Sequence, residues 1–298
     1  MSDVLIGYEP TDQGRDALAL GRIFSEAVGA RPLIATALPH LATEAGKKNL
    51  ETSLKVARAR FAPGEAASQA ISAQSPAKGL ADLAGRMNVA LIVVGSRHRG
   101  PLGKICLGST ADGLLRCSPV PVAVAPRGFA ERPARWMMRL AVAYDGSAES
   151  TRALETGIEL AGRMHGSVSI LHVVEPLPVG FSGVAAVLAV ADDNLDEAER
   201  GRRLLDHGIG GVPAGVPVEG RLLDGSRSDE IHEAAREFDL LLLGSRGHGP
   251  LLRTALGSVS APIVREAPCP ILVLPRGAAV SDLGVPSSAA VMKTSTQT

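Results

Sequence analysis

The sequence predicts an α/β protein made of two tandem copies of one open parallel sheet with helices on both faces. The chain has 298 residues, about two ordinary domains, and 45% of them are hydrophobic, enough for packed cores. Residues 95–128 align without a gap on residues 244–277, with 16 identities in 34 positions and an offset of 149. In both copies short apolar segments alternate with helical ones, which is typical of a parallel sheet wrapped by helices.

The second copy shows this alternation most clearly. Its predicted strands are residues 139–144, 167–174, 216–222, 239–243 and 270–274, and their leucine and β-branched runs suit burial on both faces. Between the first two strands, Leu154, Ile158 and Ala161 recur on one helical face, and Ser147 is placed to cap the helix.

The first copy repeats the pattern, with predicted strands at residues 4–8, 32–38, 69–74, 90–94 and 120–125. Near its start Glu9 matches Asp145, at an offset of 136, so the second copy holds 13 extra residues around 180–194, either a longer helix or a mobile segment. The predicted domains are residues 1–128 and 138–277. The linker between them contains Trp136, which we expect to pack on a domain, and residues 278–298 are expected to be a disordered tail.

Composition excludes several classes of partner. Lys+Arg and Asp+Glu balance at 31 each, so there is no bulk positive charge to bind nucleic acid or an anionic membrane. Three cysteines without a CxxC pair indicate neither a disulfide framework nor a zinc site. The N-terminal residues lack an export signal and no apolar run reaches membrane-spanning length, so a cytoplasmic location is expected.

The residues that carry chemistry follow the fourth strand of the second copy. Gly244, Gly247, Gly257 and Ser258 surround a loop whose glycines permit positive φ and whose backbone N–H groups could hold a phosphate. The Walker pattern and the GxGxxG fingerprint are both absent. The alternative is that these glycines only make a tight strand-to-helix connection.

A carboxylate lies near this loop in the predicted fold. Asp145 ends the first strand of the same copy, and the ends of strands one and four are neighbours at the switch point of an open α/β sheet. It is placed to accept hydrogen bonds from a nucleoside, or alternatively to cap the following helix and form its turn.

Gly244-x-x-Gly247, nine residues and then Gly257-Ser258 resembles the G-2x-G-9x-G-[S/T] motif of nucleotide-binding universal stress proteins. The likeness spans both copies, so the chain resembles a tandem universal stress protein. It implies two five-stranded sheets of order 3-2-1-4-5, adenine nucleotide alpha hydrolase-like, with ATP, alone or with Mg²⁺, at the carboxyl edge. The residues it implies are Asp145 at adenosine, Val173 at adenine, and Gly244, Arg246, Gly247, Gly257, Ser258 and Val259 around the phosphates.

The first copy departs from this motif. Glu9 replaces the aspartate and His98 stands at the second glycine, which predicts a damaged site, although Gly95, Gly108 and Ser109 remain. Nearby cations, among them Lys104, leave nucleotide binding by this copy open.

The sequence shows no set of catalytic residues and no metal ligands, which favours an ATP-binding regulatory protein of the stress response. A slow ATPase or nucleotidyl-transfer enzyme on the same scaffold and a nucleotide-independent interaction protein stay open as alternatives. The resemblance also implies that the two lobes pair through their fifth strands and that chains form a homodimer. Both fifth strands are apolar edge segments whose backbone groups call for a partner.

Overall fold

The computed structural model describes residues 2–38, 44–97, 102, 104–132, 138–176, 184–245 and 260–275. Trp136 and the predicted tail, residues 278–298, lie outside these ranges, as do residues 180–183 of the extra segment. The described residues form a three-layer α/β structure, with one sheet between two layers of helices.

Strands and helices alternate along the chain, as the sequence predicts. The first half contains β1 Asp3–Gly7, α1 Asp12–Val28, β2 Arg31–Leu38, α2 Glu44–Arg58, β3 Ala67–Ser72, α3 Pro76–Arg86, β4 Val89–Gly95, α4 Ser109–Cys117 and β5 Val122–Ala125. The second half contains β6 Arg139–Ala143, α5 Ala148–Met164, β7 Ser167–Val174, α6 Val184–Gly210, β8 Val218–Asp224, α7 Arg227–Ala234, β9 Leu240–Gly244, α8 Ser260–Glu266 and β10 Ile271–Leu274. All ten predicted strands are present, with ends displaced by at most two residues.

The ten strands form a single sheet rather than two separate ones. Its order is β3-β2-β1-β4-β5-β10-β9-β6-β7-β8, so each half has the predicted order 3-2-1-4-5. The halves join through their fifth strands, where β5 pairs antiparallel with β10 and Ile271 lies opposite Val124. The expectation of two sheets is corrected because each fifth strand completes the hydrogen bonding of the other.

Two hydrophobic cores lie on opposite faces of this sheet, and each crosses from one half to the other. Alternate residues of β1 face opposite ways: Ile6 belongs to the core that also contains residues of α1, α2, α5 and α6, whereas Leu5 belongs to the core on the side of α3, α4, α7 and α8. The small and branched side chains of the strands are therefore buried on both faces, as parallel sheets require.

Helix α6 has 27 residues, whereas its counterpart α2 has 15. Of the two readings of the extra segment, a longer helix holds for residues 184–194. No helix in the described part of the chain combines the length and apolar character needed to cross a membrane.

Asp16 of α1 holds the chain just after β5. Its carboxylate accepts hydrogen bonds from the backbone N–H groups of Gly128 and Ala130, at 2.9 and 2.8 Å. Burial raises the pKa of Asp16, and these two N–H donors partly oppose the rise. These two hydrogen bonds attach the segment that follows β5 to helix α1, beside the junction of the two halves.

The two equivalent helices α1 and α5 end differently. The C-cap residue of each helix has a left-handed backbone. In α1 this residue is Gly29, with φ 64°, whereas in α5 it is His165, with φ 54°. We expect His165→Gly to raise the free energy of unfolding by about 1 kcal/mol, because a Cβ is strained in this region. The reverse change, Gly29→His, is expected to lower it by a similar amount. Unchanged denaturation midpoints in both variants would contradict the strain argument.

The cysteine beside the sheet junction is protected by burial. Cys269 precedes β10, and desolvation raises its pKa to about 12, so about one thiol in ten thousand is ionised at pH 8. We expect iodoacetamide to label exposed Cys117 in the native protein and Cys269 only on unfolding. Mass spectrometry along a denaturant series measures this, and labelling of native Cys269 at the rate of Cys117 would refute it.

Candidate functional site

An open cavity of about 490 Å³ lies at the carboxyl edge of the first half. It is bordered by the residues that follow β1, the residues that follow β4 and the start of α4. In the order 3-2-1-4-5 the chain reverses its direction of winding between β1 and β4, which is where ligands bind in open α/β sheets. Glu9, Gly95, Gly108 and Ser109, all named from the sequence, line this one cavity.

The glycines ending the fourth strands have a packing role. A Cβ on Gly95 would lie 2.3 Å from the Gln13 carbonyl oxygen, and one on Gly244 would lie 2.5 Å from the Glu149 carbonyl carbon. Neither Gly95 nor Gly244 has the positive φ expected for glycines of this loop, so for these two residues that expectation was wrong. They are needed because each strand end abuts the first turn of a helix, α1 or α5.

Gly108 is a different case. It is the N-cap of α4 with φ −85°, and among the described residues a Cβ there would have only the Cα of Arg97 within 4 Å, at 4.0 Å. Thr11, Ser75 and Ser147 cap α1, α3 and α5 with their side chains, but α4 has no side-chain cap. No side chain of the described residues caps its first-turn N–H groups, which can therefore donate to a ligand at this end of the cavity.

Ser96 adds a second polar group to the same wall. It follows Gly95, lines the cavity, is 2% exposed, and its hydroxyl has no hydrogen-bond partner. In the described part of the chain no other buried side-chain polar atom lacks a partner. Such a group costs free energy unless something bonds to it, so an unpaired hydroxyl on a cavity-lining residue is a candidate hydrogen-bonding group for a ligand.

The turn after the first strand differs between the halves. Gly146 adopts φ +75°, which Pro10 at the equivalent position cannot. The first half instead brings the turn closer to its helix, where a Cβ on Gly14 would lie only 1.9 Å from the Glu9 carbonyl oxygen. Glu9 is exposed and lines the cavity, in a turn whose shape differs from that of the equivalent turn in the second half.

In the second half Asp145 follows β6, is exposed, and accepts a hydrogen bond from the Ser147 N–H at 3.0 Å. The sequence left two roles open for Asp145, one in the turn before the helix and one at a nucleoside, and this hydrogen bond corresponds to the turn. Val173 is buried in β7, and Gly244 ends β9. The remaining residues of the motif lie outside the described ranges: Arg246, Gly247, Gly257, Ser258 and Val259, as does His98 of the first half.

A family model described as the universal stress protein family matches residues 25–126 and 137–275. The chain belongs to the universal stress protein family. The two matched segments correspond to the two halves of the sheet, so the tandem organisation read from the repeat is confirmed.

Curated and solved universal stress proteins support the assignment. Rv2319c of Mycobacterium tuberculosis is 31% identical over 211 residues, covering 68% of this chain and 70% of that protein. YxiE of Bacillus subtilis is 31% identical over 144 residues, covering 46% of this chain and 97% of its own length. A crystal structure of a universal stress protein from Archaeoglobus fulgidus shares the fold, with a TM-score of 0.66 at 22% identity, covering 92% of this chain and 98% of that one.

Sequence reasoning missed Ser96. A signal was present, because Gly-Ser-Arg at 95–97 recurs at 244–246. The missing partner of the hydroxyl is a tertiary property that spacing does not reveal. Among the described residues no cluster of three or more His, Cys, Asp or Glu side chains could hold a metal ion.

Two buried serines of the first half form a matched pair for testing this wall. Ser118 donates to the Val120 carbonyl at 2.6 Å and accepts from the Val120 N–H at 3.2 Å, whereas the Ser96 hydroxyl is unpaired. Without ligand, we expect Ser118→Ala to lower the free energy of unfolding by about 1–2 kcal/mol and Ser96→Ala to leave it unchanged or raise it. Urea denaturation distinguishes the two, and equal losses would show that Ser96 is satisfied in the folded protein.

Proposed function

We propose that this universal stress protein binds an adenine nucleotide, ATP in the first instance, and acts as a nucleotide-dependent regulatory module in the stress response. The observation that carries the proposal is the cavity at the β1–β4 switch point with its buried, unpaired Ser96 hydroxyl. The proposal includes two nucleotide-binding domains, residues 1–128 and 138–277, a tail at 278–298, a cytoplasmic location and a dimer of chains.

The cavity offers different chemistry at its two ends. Glu9, after β1, is placed to accept hydrogen bonds from sugar hydroxyls or an amine, and the backbone of Ala37 on β2 is in position for the base. At the other end, the Ser96 hydroxyl and the uncapped first turn of α4 supply neutral donors for phosphate oxygens. This polarity, with a carboxylate at one end and donors at the other, suits a nucleotide better than an inorganic anion.

The second half is proposed as a further site from its motif. Asp145, Val173 and Gly244 hold positions equivalent to Glu9, Ala37 and Gly95 of the first half. With Arg246, Gly247, Gly257, Ser258 and Val259 they make the complete motif. Mg²⁺ is expected to arrive bound to the phosphates of ATP.

Calorimetric titration with Mg-ATP tests the first-half site through Gly108→Ala. Within the described ranges the new methyl group meets no atom closer than 4.0 Å, so the fold should hold while the space for phosphate shrinks. We expect ATP affinity at this site to fall about tenfold or more. Gly85→Ala is the matched control, because Gly85 is exposed in α3 and its added Cβ would also have its nearest neighbour, Pro119, at 4.0 Å.

Gly247→Ala separates the second site in the same titration. Wild type is expected to show two sites of wild-type affinity per chain, each single variant one, and the double variant none. Absence of binding by wild type would defeat the proposed function, and binding by the double variant equal to wild type would defeat the assigned sites. Release of ADP or AMP during a time course, lost in Ser258→Ala, would favour the ATPase or transferase alternative over a pure binding module.

A further inference from the structure

A second open cavity, of about 480 Å³, continues from the first across the junction of the two halves. The two cavities share four lining residues, namely Arg97, Leu107, Gly108 and Ser109. The second cavity is completed by Cys106 and two residues of α4, and by Arg265 and Glu266 at the end of α8. The start of α4, where the proposed phosphates lie, thus faces a space that the second half helps to enclose.

The sheet junction explains why α8 reaches this place. Because β10 runs antiparallel to β5, its first residue, Ile271, lies opposite Val124 near the carboxyl end of β5. The end of α8 therefore lies at the carboxyl edge of the first half. The backbone fixes it there, since the Ile105 N–H donates to the Ala267 carbonyl at 2.8 Å.

Three arginines line this second cavity, and only one is neutralised by a neighbour. Arg116 forms a salt bridge with Asp112 one helical turn earlier, at 3.0 Å. Arg265 holds the equivalent repeat position in α8, but the residue one turn earlier there is Ala261, which offers no carboxylate. Within the described ranges neither Arg97 nor Arg265 has an ion-pair partner, and Glu266 is the remaining acid of the lining.

Two unpaired guanidinium groups facing one space favour an anion, and Arg suits phosphate oxygens because of its planar set of donors. Arg97 and Arg265 line the second cavity, which adjoins the first at the start of α4. A phosphate chain longer than a monophosphate would extend from the start of α4 toward these arginines. A monophosphate held at Ser96 and the first turn of α4 would not need them.

We propose that the first-half site is shared between the halves: Arg265 of the second half, with Arg97, binds the outer phosphates, so the site selects nucleoside di- and triphosphates over monophosphates. This inference rests on the proposed function of the first-half site. It makes Arg265 a specificity residue and makes occupancy of one half depend on the position of the other.

The test measures the affinities of ATP and AMP for the full chain, counting as the first-half site the binding that Gly108→Ala removes. Arg265→Gln is expected to weaken ATP about three- to tenfold there, a range that allows for solvent exposure, and to change AMP less than twofold. Arg236→Gln is the matched control, an exposed arginine of the second half that pairs with Glu233 and lines neither cavity.

The outcomes separate the two proposals. If Gly108→Ala removes no binding, the first-half site fails and this inference fails with it. If that binding exists but Arg265→Gln leaves the ratio of ATP to AMP affinity unchanged, the shared site is refuted while nucleotide binding stands. Equal weakening by Arg236→Gln would also refute it, since the effect would then be one of overall charge. Inorganic tripolyphosphate should displace ATP from wild type more readily than from Arg265→Gln.

Discussion

The antiparallel pairing of β5 with β10 is the interaction on which the rest of this structure depends. Each of these strands is fully or almost fully buried, yet each would be an exposed apolar edge if its half stood alone. Pairing them satisfies both rows of backbone groups and merges two five-stranded units into one sheet. It also makes both hydrophobic cores continuous, so neither half has a complete interior by itself.

The direction of that pairing decides where the sites lie. Strands of the second half run opposite to those of the first, so the two carboxyl edges are at opposite edges of the sheet. The beginning of each fifth strand consequently meets the carboxyl edge of the other half. This brings Arg265 to the start of α4, although the two residue positions are far apart in sequence and in different repeats.

The strands could be predicted from the sequence because buried apolar runs and a repeat are local patterns, whereas the strand order and the pairing of the halves were implied by the resemblance to the family. The sequence could also name Glu9, Gly95, Gly108 and Ser109, which line a single cavity. The roles considered for Ser96 and Arg265 could not be predicted from the sequence. An unpaired hydroxyl is defined by what surrounds it, and Arg265 acquires its neighbours only when β10 pairs with β5. The single sheet was missed for the same reason, since continuity across a junction is a property of packing.

The glycines of this fold show why a motif is weaker evidence than its geometry. Gly95 is required by the adjacent backbone of α1 whether or not a ligand binds, so its presence says little about phosphate. Gly108 shows no such constraint in the described part of the chain, because the nearest atom that a methyl group would meet there is the Cα of Arg97, at 4.0 Å. In the described part of the chain, packing does not explain the residue type at Gly108 or the unpaired hydroxyl of Ser96. The first half departs from the family motif at Glu9 and His98, yet Gly95, Ser96, Gly108 and Ser109 still line one cavity.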